Sequence, residues 1–263
     1  MVHKIKQLLP GDHPWQNQIH HFACVESTNT LAKEMAKQGA PHGTVLIADS
    51  QTGGRGRLGR HFHSPADMGI YMSVILRYGC KAEKLMHLTC ACGVSICDAV
   101  AECIGIRPGI KWTNDLVHQG KKLGGILTEL VFCGEEICAI VGIGLNCSQN
   151  PTDFDQEIRP IAASLTMISD QKVAREQVAA AMIRHLLQMD AQLLADPKAI
   201  MERYRKDCIS IGKEISLLRG DTVRHGIALE VEDDGALLVR FIDGSTEAVQ
   251  SGEVSVRGMY GYV

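Results

Sequence analysis

Gly53-Gly54-Arg55-Gly56-Arg57-Leu58-Gly59-Arg60 is the stretch on which the reading of this chain turns. Four glycines and three arginines fall within eight residues, and no acidic residue occurs between Asp49 and Asp67, where His61 and His63 add further basic groups. Glycine permits positive φ and exposes backbone N–H groups to a ligand. The planar fork of arginine suits phosphate and carboxylate. The combination predicts an anion cradle of the kind that holds a nucleotide phosphate. Gly54-x-Gly56-x-x-Gly59 fits the dinucleotide pattern only formally, because Pro65 and Gly69 follow where that pattern needs a helix. Gly54-x-x-x-x-Gly59 would open a P-loop, but Arg60-His61 stands where Lys-Ser/Thr belongs. A solvated basic turn is the plain alternative.

Hydrophobic patterning sets this loop between strands. Strands are predicted at 19–25, 44–48 and 70–76, and a short helix at 31–37 is capped by Ser27-Thr28-Asn29 and ended by Gly39 and Pro41. A long helix is predicted over 84–103, then short strands near 110–112, 116–118 and 126–132. Residues 137–142 are nearly all apolar, as in a strand covered on both faces, and helices follow at 173–194 and 199–208. Residues 1–18, with Pro10, Gly11 and Pro14, read as an irregular lead-in. Beyond Gly212 come five short strand patterns, at 213–218, 223–231, 236–241, 246–249 and 254–257, parted by turn signals such as Asp234-Gly235 and Asp243-Gly244. They predict a small β-barrel and a division into units 1–210 and 211–263.

At 263 residues the chain can bury a core without disulfide or metal staples. Its 45% apolar and 22% charged residues exclude a disordered or fibrous chain. The net charge of −3 argues against a basic nucleic-acid coat. Ten cysteines in a chain of this length suggest a reduced protein and no disulfide framework. No apolar run reads as a signal peptide or a membrane span, so a soluble cytoplasmic protein without a membrane partner is expected. Cys90, Cys92, Cys97 and Cys103 share one predicted helix and include no Cys-x-x-Cys pair; core packing is expected there, and no structural metal.

Three further segments carry chemistry. Lys111-Trp112-Thr113-Asn114-Asp115-Leu116 puts a Lys, an Asn and an Asp at a strand end. Asn114 and Asp115 offer hard oxygens of the kind Mg²⁺ takes beside substrate phosphates, although Asn-Asp is also an ordinary turn pair. Gly120-Lys121-Lys122-Leu123-Gly124-Gly125-Ile126-Leu127-Thr128-Glu129 sets an ammonium beside glycines that admit a ligand, although paired lysines commonly form a solvated face. Gly142-Ile143-Gly144-Leu145-Asn146 ends the apolar strand with glycines that either leave room for a ligand or serve a turn. Phe62 is placed to stack on a base or to anchor the loop.

Ser27-Thr28-Asn29, Gly54-Arg55-Gly56-Arg57-Leu58-Gly59-Arg60, Lys111-Trp112-Thr113-Asn114-Asp115, Lys122-Leu123-Gly124-Gly125-Ile126-Leu127 and Gly144-Leu145-Asn146 occur in the order and spacing of biotin protein ligases. Residues 20–150 resemble that family closely and the C-terminal stretch more loosely. Thr113 departs from the pattern, where the family usually has Pro. Repressor-type members carry a helix-turn-helix domain ahead of the Ser-Thr-Asn motif; with 26 residues before Ser27, this chain resembles the ligase-only type, and no DNA partner is expected. The resemblance implies an α+β fold of the class II aminoacyl-tRNA synthetase and biotin ligase kind, a mixed sheet backed by helices, with a small C-terminal SH3-like β-barrel. It implies ATP-dependent biotinylation of a lysine on the biotin carboxyl carrier domain of a biotin-dependent carboxylase, acetyl-CoA carboxylase among them. The route is through biotinyl-5′-AMP, with pyrophosphate and then AMP leaving and Mg²⁺ as cofactor. A homodimer is compatible with it.

The same resemblance implies residue roles. Ser27, Thr28, Asn29 and Gln51, with Gly54, Arg55 and Gly56, should face the ureido ring of biotin, while Gly125, Leu127, Gly142 and Gly144 line the channel for its tail. Arg57, Lys111 and Lys122 should be the catalytic cations, with Arg57 and Lys122 at the biotin carboxylate. Arg60, Trp112, Asn114 and Asn146 join those three around the nucleotide, Asn146 on the adenine side, and Asp115 with Asn114 would hold Mg²⁺. Three competing readings are a lipoate or octanoate ligase, not expected to carry this Gly-Arg loop, a nucleic-acid-binding regulator, disfavoured by the net charge, and a non-catalytic biotin sensor, disfavoured by the presence of Lys111, Asp115 and Lys122 together.

Overall fold

The computed structural model describes residues 1–169, 171–250 and 252–256. In chain order the elements are α1 (Val2–Leu8), β1 (Ile19–Val25), α2 (Thr28–Lys37), β2 (Thr44–Gln51), β3 (Gly69–Tyr78), α3 (Leu88–Ile104), β4 (Gly109–Lys111), β5 (Asp115–His118), β6 (Lys121–Cys133) and β7 (Glu136–Asn146). There follow α4 (Leu165–Ile168), α5 (Arg175–Leu193), α6 (Pro197–Asp207), β8 (Glu214–Arg219), β9 (Thr222–Val231), β10 (Leu237–Phe241), β11 (Thr246–Val249) and β12 (Glu253–Val256). The last predicted strand ended at Arg257, which lies outside the described residues.

β1 to β7 form one mixed sheet in the order β1-β2-β3-β7-β6-β5-β4, with β1 and β2 parallel and the other neighbours antiparallel. β8 to β12 form a second, antiparallel sheet in the order β11-β10-β9-β8-β12. The α+β expectation holds. Val45, Ile47, Ala139 and Val141 belong to the main core with α3, α5 and α6, while their chain neighbours Leu46, Cys138 and Ile140 belong to a second core with Ala32 and Ala36 of α2. Successive side chains of a strand point to opposite faces. Helices cover both faces of this sheet, which is why β3 and β7 read as nearly unbroken apolar runs.

Two expectations are corrected. Residues 1–18 are not wholly irregular: α1 is a helix that buries Ile5, with Leu9 and Trp15 also in the core. The segment Ala82–Ile104 is long and apolar enough by length and composition to cross a bilayer, against the expectation that no such run exists; 72% of its apolar 18-residue stretch is buried inside the protein, as in a core helix. Its cysteines are packing groups, and burial pushes the Cys90 thiol up to about 12. Among the described residues, no group of three or more His, Cys, Asp or Glu is placed to hold a metal ion.

Candidate active site

The first turn of α2 builds a polar wall. Ser27 caps the helix by accepting from the Thr30 N–H at 3.5 Å, so Thr28 and Asn29 open it, both buried. The Thr28 N–H and hydroxyl donate to Gln51 Oε1 at 2.9 and 3.1 Å, and Gln51 Nε2 donates to Ser64 Oγ at 2.9 Å. Asn29 Nδ2 donates to the Leu127 carbonyl at 3.1 Å and to Glu129 Oε2 at 3.0 Å. Its Oδ1 accepts from the Ser73 hydroxyl at 2.6 Å. Lys33 Nζ donates to Glu129 Oε1 at 2.9 Å. Burial pushes the Glu129 carboxyl up, but the bonds from Lys33 and Asn29 outweigh it and hold the group below the usual carboxylate range. Ser73, Glu129 and Lys33 were not among the expected site residues. Ser73 had a signal, being a lone polar residue in the apolar run Ile70 to Leu76.

The glycines of the site serve neighbours more than the ligand. A Cβ on Gly142 would lie 2.1 Å from Asn29 Oδ1, and one on Gly144 would lie 2.5 Å from the Phe62 ring. Both glycines border the pocket, yet the space above each is taken by a side chain that itself lines it. Gly54 does not line the pocket; a Cβ there would stand 2.4 Å from the Phe62 carbonyl, so this glycine serves the close approach of the two loop strands. Of the four glycines in the Gly-Arg loop only Gly59 uses the positive φ that glycine permits, at 74°. The loop is a narrow hairpin: Phe62 N–H donates to the Gly54 carbonyl and Gly56 N–H to the Arg60 carbonyl, each at 2.8 Å.

The cations converge on the same pocket. Arg55, Arg57 and Arg60 come from the loop, Lys111 from the end of β4 and Lys122 from β6. The β5–β6 turn uses Gln119 at φ 46° and Gly120 at φ 76°, and it sets Lys122 opposite Val117. Lys122 Nζ donates to Asp115 Oδ1 at 2.7 Å. Arg57 Nη1 donates to Asn114 Oδ1 at 2.9 Å, which ties the loop across to the β4–β5 connection. Arg60 pairs with Glu253 of β12, so the second sheet closes one side of the pocket with Gly252, Glu253 and Val254. Burial pulls the Lys111 ammonium below its usual range, with Asp115 working against that and Lys122 with it. Trp112 is buried, with its indole N–H on the Gly235 carbonyl at 2.9 Å.

Ser27, Thr28, Asn29, Gln51, Arg55, Gly56, Arg57, Arg60, Lys111, Trp112, Asn114, Asp115, Lys122, Gly125, Leu127, Gly142 and Gly144 therefore meet around one pocket. Asn146 does not reach it; it is buried and its Nδ2 donates to the Ala163 carbonyl at 3.0 Å. Phe62 both lines the pocket and anchors the loop, edge-on to Tyr71 with ring centroids 6.4 Å apart.

Asn114 and Asp115, expected to hold Mg²⁺, are engaged by cationic side chains in this structure. The Asn114 amide oxygen is taken by the Arg57 guanidinium and one Asp115 oxygen by the Lys122 ammonium, so this donor set serves cationic side chains. Asp115→Ala is accordingly expected to lower kcat about 10-fold or more by releasing Lys122, while the Mg²⁺ midpoint moves less than about twofold. A Mg²⁺ titration of that variant checks it; a midpoint raised about tenfold would restore the metal role.

Comparison with known proteins agrees with this geometry. Residues 21–146 match the biotin/lipoate A/B protein ligase family, and residues 210–257 match the biotin protein ligase C-terminal domain. Fold and site together thus define a protein of the biotin and lipoate ligase class. The bifunctional ligase/repressor BirA of Bacillus subtilis is 35% identical over 238 residues, 87% of this chain and 71% of that protein. The biotin–[acetyl-CoA-carboxylase] ligase of Mycobacterium tuberculosis is 33% identical over 94% of this chain and 92% of its own length. The Aquifex aeolicus biotin protein ligase, solved in complex with biotin and ATP, superposes with a TM-score of 0.78 at 29% identity, covering 91% of this chain and 98% of that one. The chain belongs to the biotin protein ligase family and is an enzyme, with the biotin ligase fold and its C-terminal β domain.

Proposed function

We propose that this chain forms biotinyl-5′-AMP from biotin and ATP, releasing pyrophosphate, and then passes the biotinyl group to a lysine of a carboxylase carrier domain, releasing AMP. One observation carries the reading: a single pocket has the prewired wall of Ser27, Thr28, Asn29 and Gln51, and also the cations Arg57, Lys111 and Lys122. Attack of a carboxylate on an α-phosphate brings like charges together, and cations fixed beforehand stabilise the transition state where that charge accumulates. The polar wall suits a small ring bearing N–H and C=O groups. An apolar acyl chain would offer nothing to the positions this wall leaves open, such as the second lone pair of Asn29 Oδ1, which disfavours lipoate or octanoate. Mg²⁺, in this reading, arrives with the nucleotide and is held by phosphate oxygens, in keeping with its preference for few protein ligands.

Arg57 closes the pocket by its bond to Asn114, so Arg57→Gly is expected to speed the escape of biotinyl-AMP about 10²-fold. Stopped-flow release of the preformed adenylate measures this; unchanged slow release would remove that role. The whole reading is tested by incubating the chain with biotin, ATP and a carrier domain. A single biotinyl group on one lysine, with stoichiometric AMP and pyrophosphate, is expected. Product formed with lipoate and not with biotin would overturn it.

A further inference from the structure

We infer that Glu129 is a specificity-determining positioning residue, which locks the Asn29 amide so that Asn29 can only accept a hydrogen bond from the ligand. This deepens the proposed biotin reading and rests on it. Asn29 has two amide protons, and both are already placed, on the Leu127 carbonyl at 3.1 Å and on Glu129 Oε2 at 3.0 Å. Its oxygen takes the Ser73 hydroxyl at 2.6 Å and keeps one lone pair. That oxygen sits over Gly142, where a Cβ would approach to 2.1 Å, on the floor of the pocket. Rotating the amide by half a turn would face its oxygen toward two acceptors, the Leu127 carbonyl and the Glu129 carboxylate, while the Ser73 hydroxyl, which also has Thr28 Oγ1 at 2.8 Å, could serve either orientation; the lock therefore lies with Leu127 and Glu129.

Glu129 is well placed to enforce this choice. Its second oxygen is held by Lys33 at 2.9 Å, one turn along α2 from Asn29, and Arg55 of the loop stands 3.9 Å away. The Lys33 and Asn29 bonds keep the carboxyl ionised, so it remains an acceptor at neutral pH. The consequence for a ligand is chemical. A ring N–H meeting Asn29 finds an acceptor, whereas an isosteric ring oxygen at the same place meets a lone pair and finds no donor to replace it. With glutamine at 129 a single amide oxygen replaces the two that serve Lys33 and Asn29; turned to the Lys33 ammonium, the side chain sets its NH₂ against Nδ2, and Asn29 then turns to donate.

The test compares biotin with its two cyclic carbamate analogues, each with one ring N–H replaced by oxygen, by calorimetry on the full chain. The unaltered protein is expected to bind one of the two carbamates at least 100-fold more weakly than biotin. Glu129→Gln is expected to shrink that ratio at least tenfold, mainly by gaining affinity for the carbamate relative to biotin. Lys33→Met, measured at about pH 8.5 so that the carboxyl stays ionised without its ammonium partner, removes the ion pair and leaves the Asn29 contact, and is expected to leave the ratio within twofold. A Glu129→Gln variant that weakens all ligands equally, or a Lys33→Met variant that shrinks the ratio as much at that pH, would overturn the inference. So would equal binding of biotin and both carbamates by the unaltered chain, a result that needs no variant to fold. Absence of any heat from biotin would instead overturn the biotin reading itself.

Discussion

Replacing Lys122 with alanine is expected to lower the rate of adenylate formation about 10³-fold, because two losses fall on the same step. The ammonium no longer neutralises the carboxylate as it meets the α-phosphate. The change also strands Asp115, whose carboxylate accepts from Lys122 at 2.7 Å and whose side chain is only 16% exposed. An unpaired anion would then stand in a pocket meant for anions. The Lys122→Ala/Asp115→Asn double variant is therefore expected to recover about tenfold over Lys122→Ala alone. Single-turnover formation of biotinyl-AMP measures both. A Lys122→Ala enzyme within about tenfold of the unaltered rate, or a double variant slower than the single one, would contradict this account.

Gly142→Ala is expected to weaken biotin binding at least 100-fold and to lower stability by about 1–3 kcal/mol. The added carbon would lie 2.1 Å from Asn29 Oδ1 and 2.6 Å from its Cγ. Gly142 cannot move aside, because β7 is paired on both edges there, with Ser73 of β3 and Leu127 of β6. Asn29 must give way instead, which breaks its bonds to Ser73, Leu127 and Glu129 together. Calorimetry with biotin and thermal unfolding check the two parts. Unaltered binding would show that the wall does not depend on this close approach.

These two sites mark where the sequence could be read and where it could not. The basic loop and the Lys111 and Lys122 segments were legible because charge and glycine are dense within a few neighbouring residues. The reason for the glycines was not, since it lies in residues brought from elsewhere: Phe62 against Gly144 and Asn29 against Gly142. The Ser73–Asn29–Glu129 chain was equally hidden, because it joins β3, α2 and β6, and no local pattern reports a bond across three elements. The surroundings of Asn146 were hidden in the same way: the resemblance set it on the adenine side, while in the fold its amide donates to Ala163 of a segment distant in sequence. The walls of the sheet were plain in the apolar runs of β3 and β7. The helix at the N-terminus was masked by Pro10, Gly11 and Pro14, which follow it closely.

The claim that one pocket turns biotin into an acyl adenylate is tested most directly by exchange of labelled pyrophosphate into ATP by the purified chain. The account predicts exchange that requires biotin, falls about 10³-fold in Lys122→Ala and is not supported by lipoate. Exchange that proceeds equally without biotin, or none at all from folded protein supplied with biotin, ATP and Mg²⁺, would contradict it.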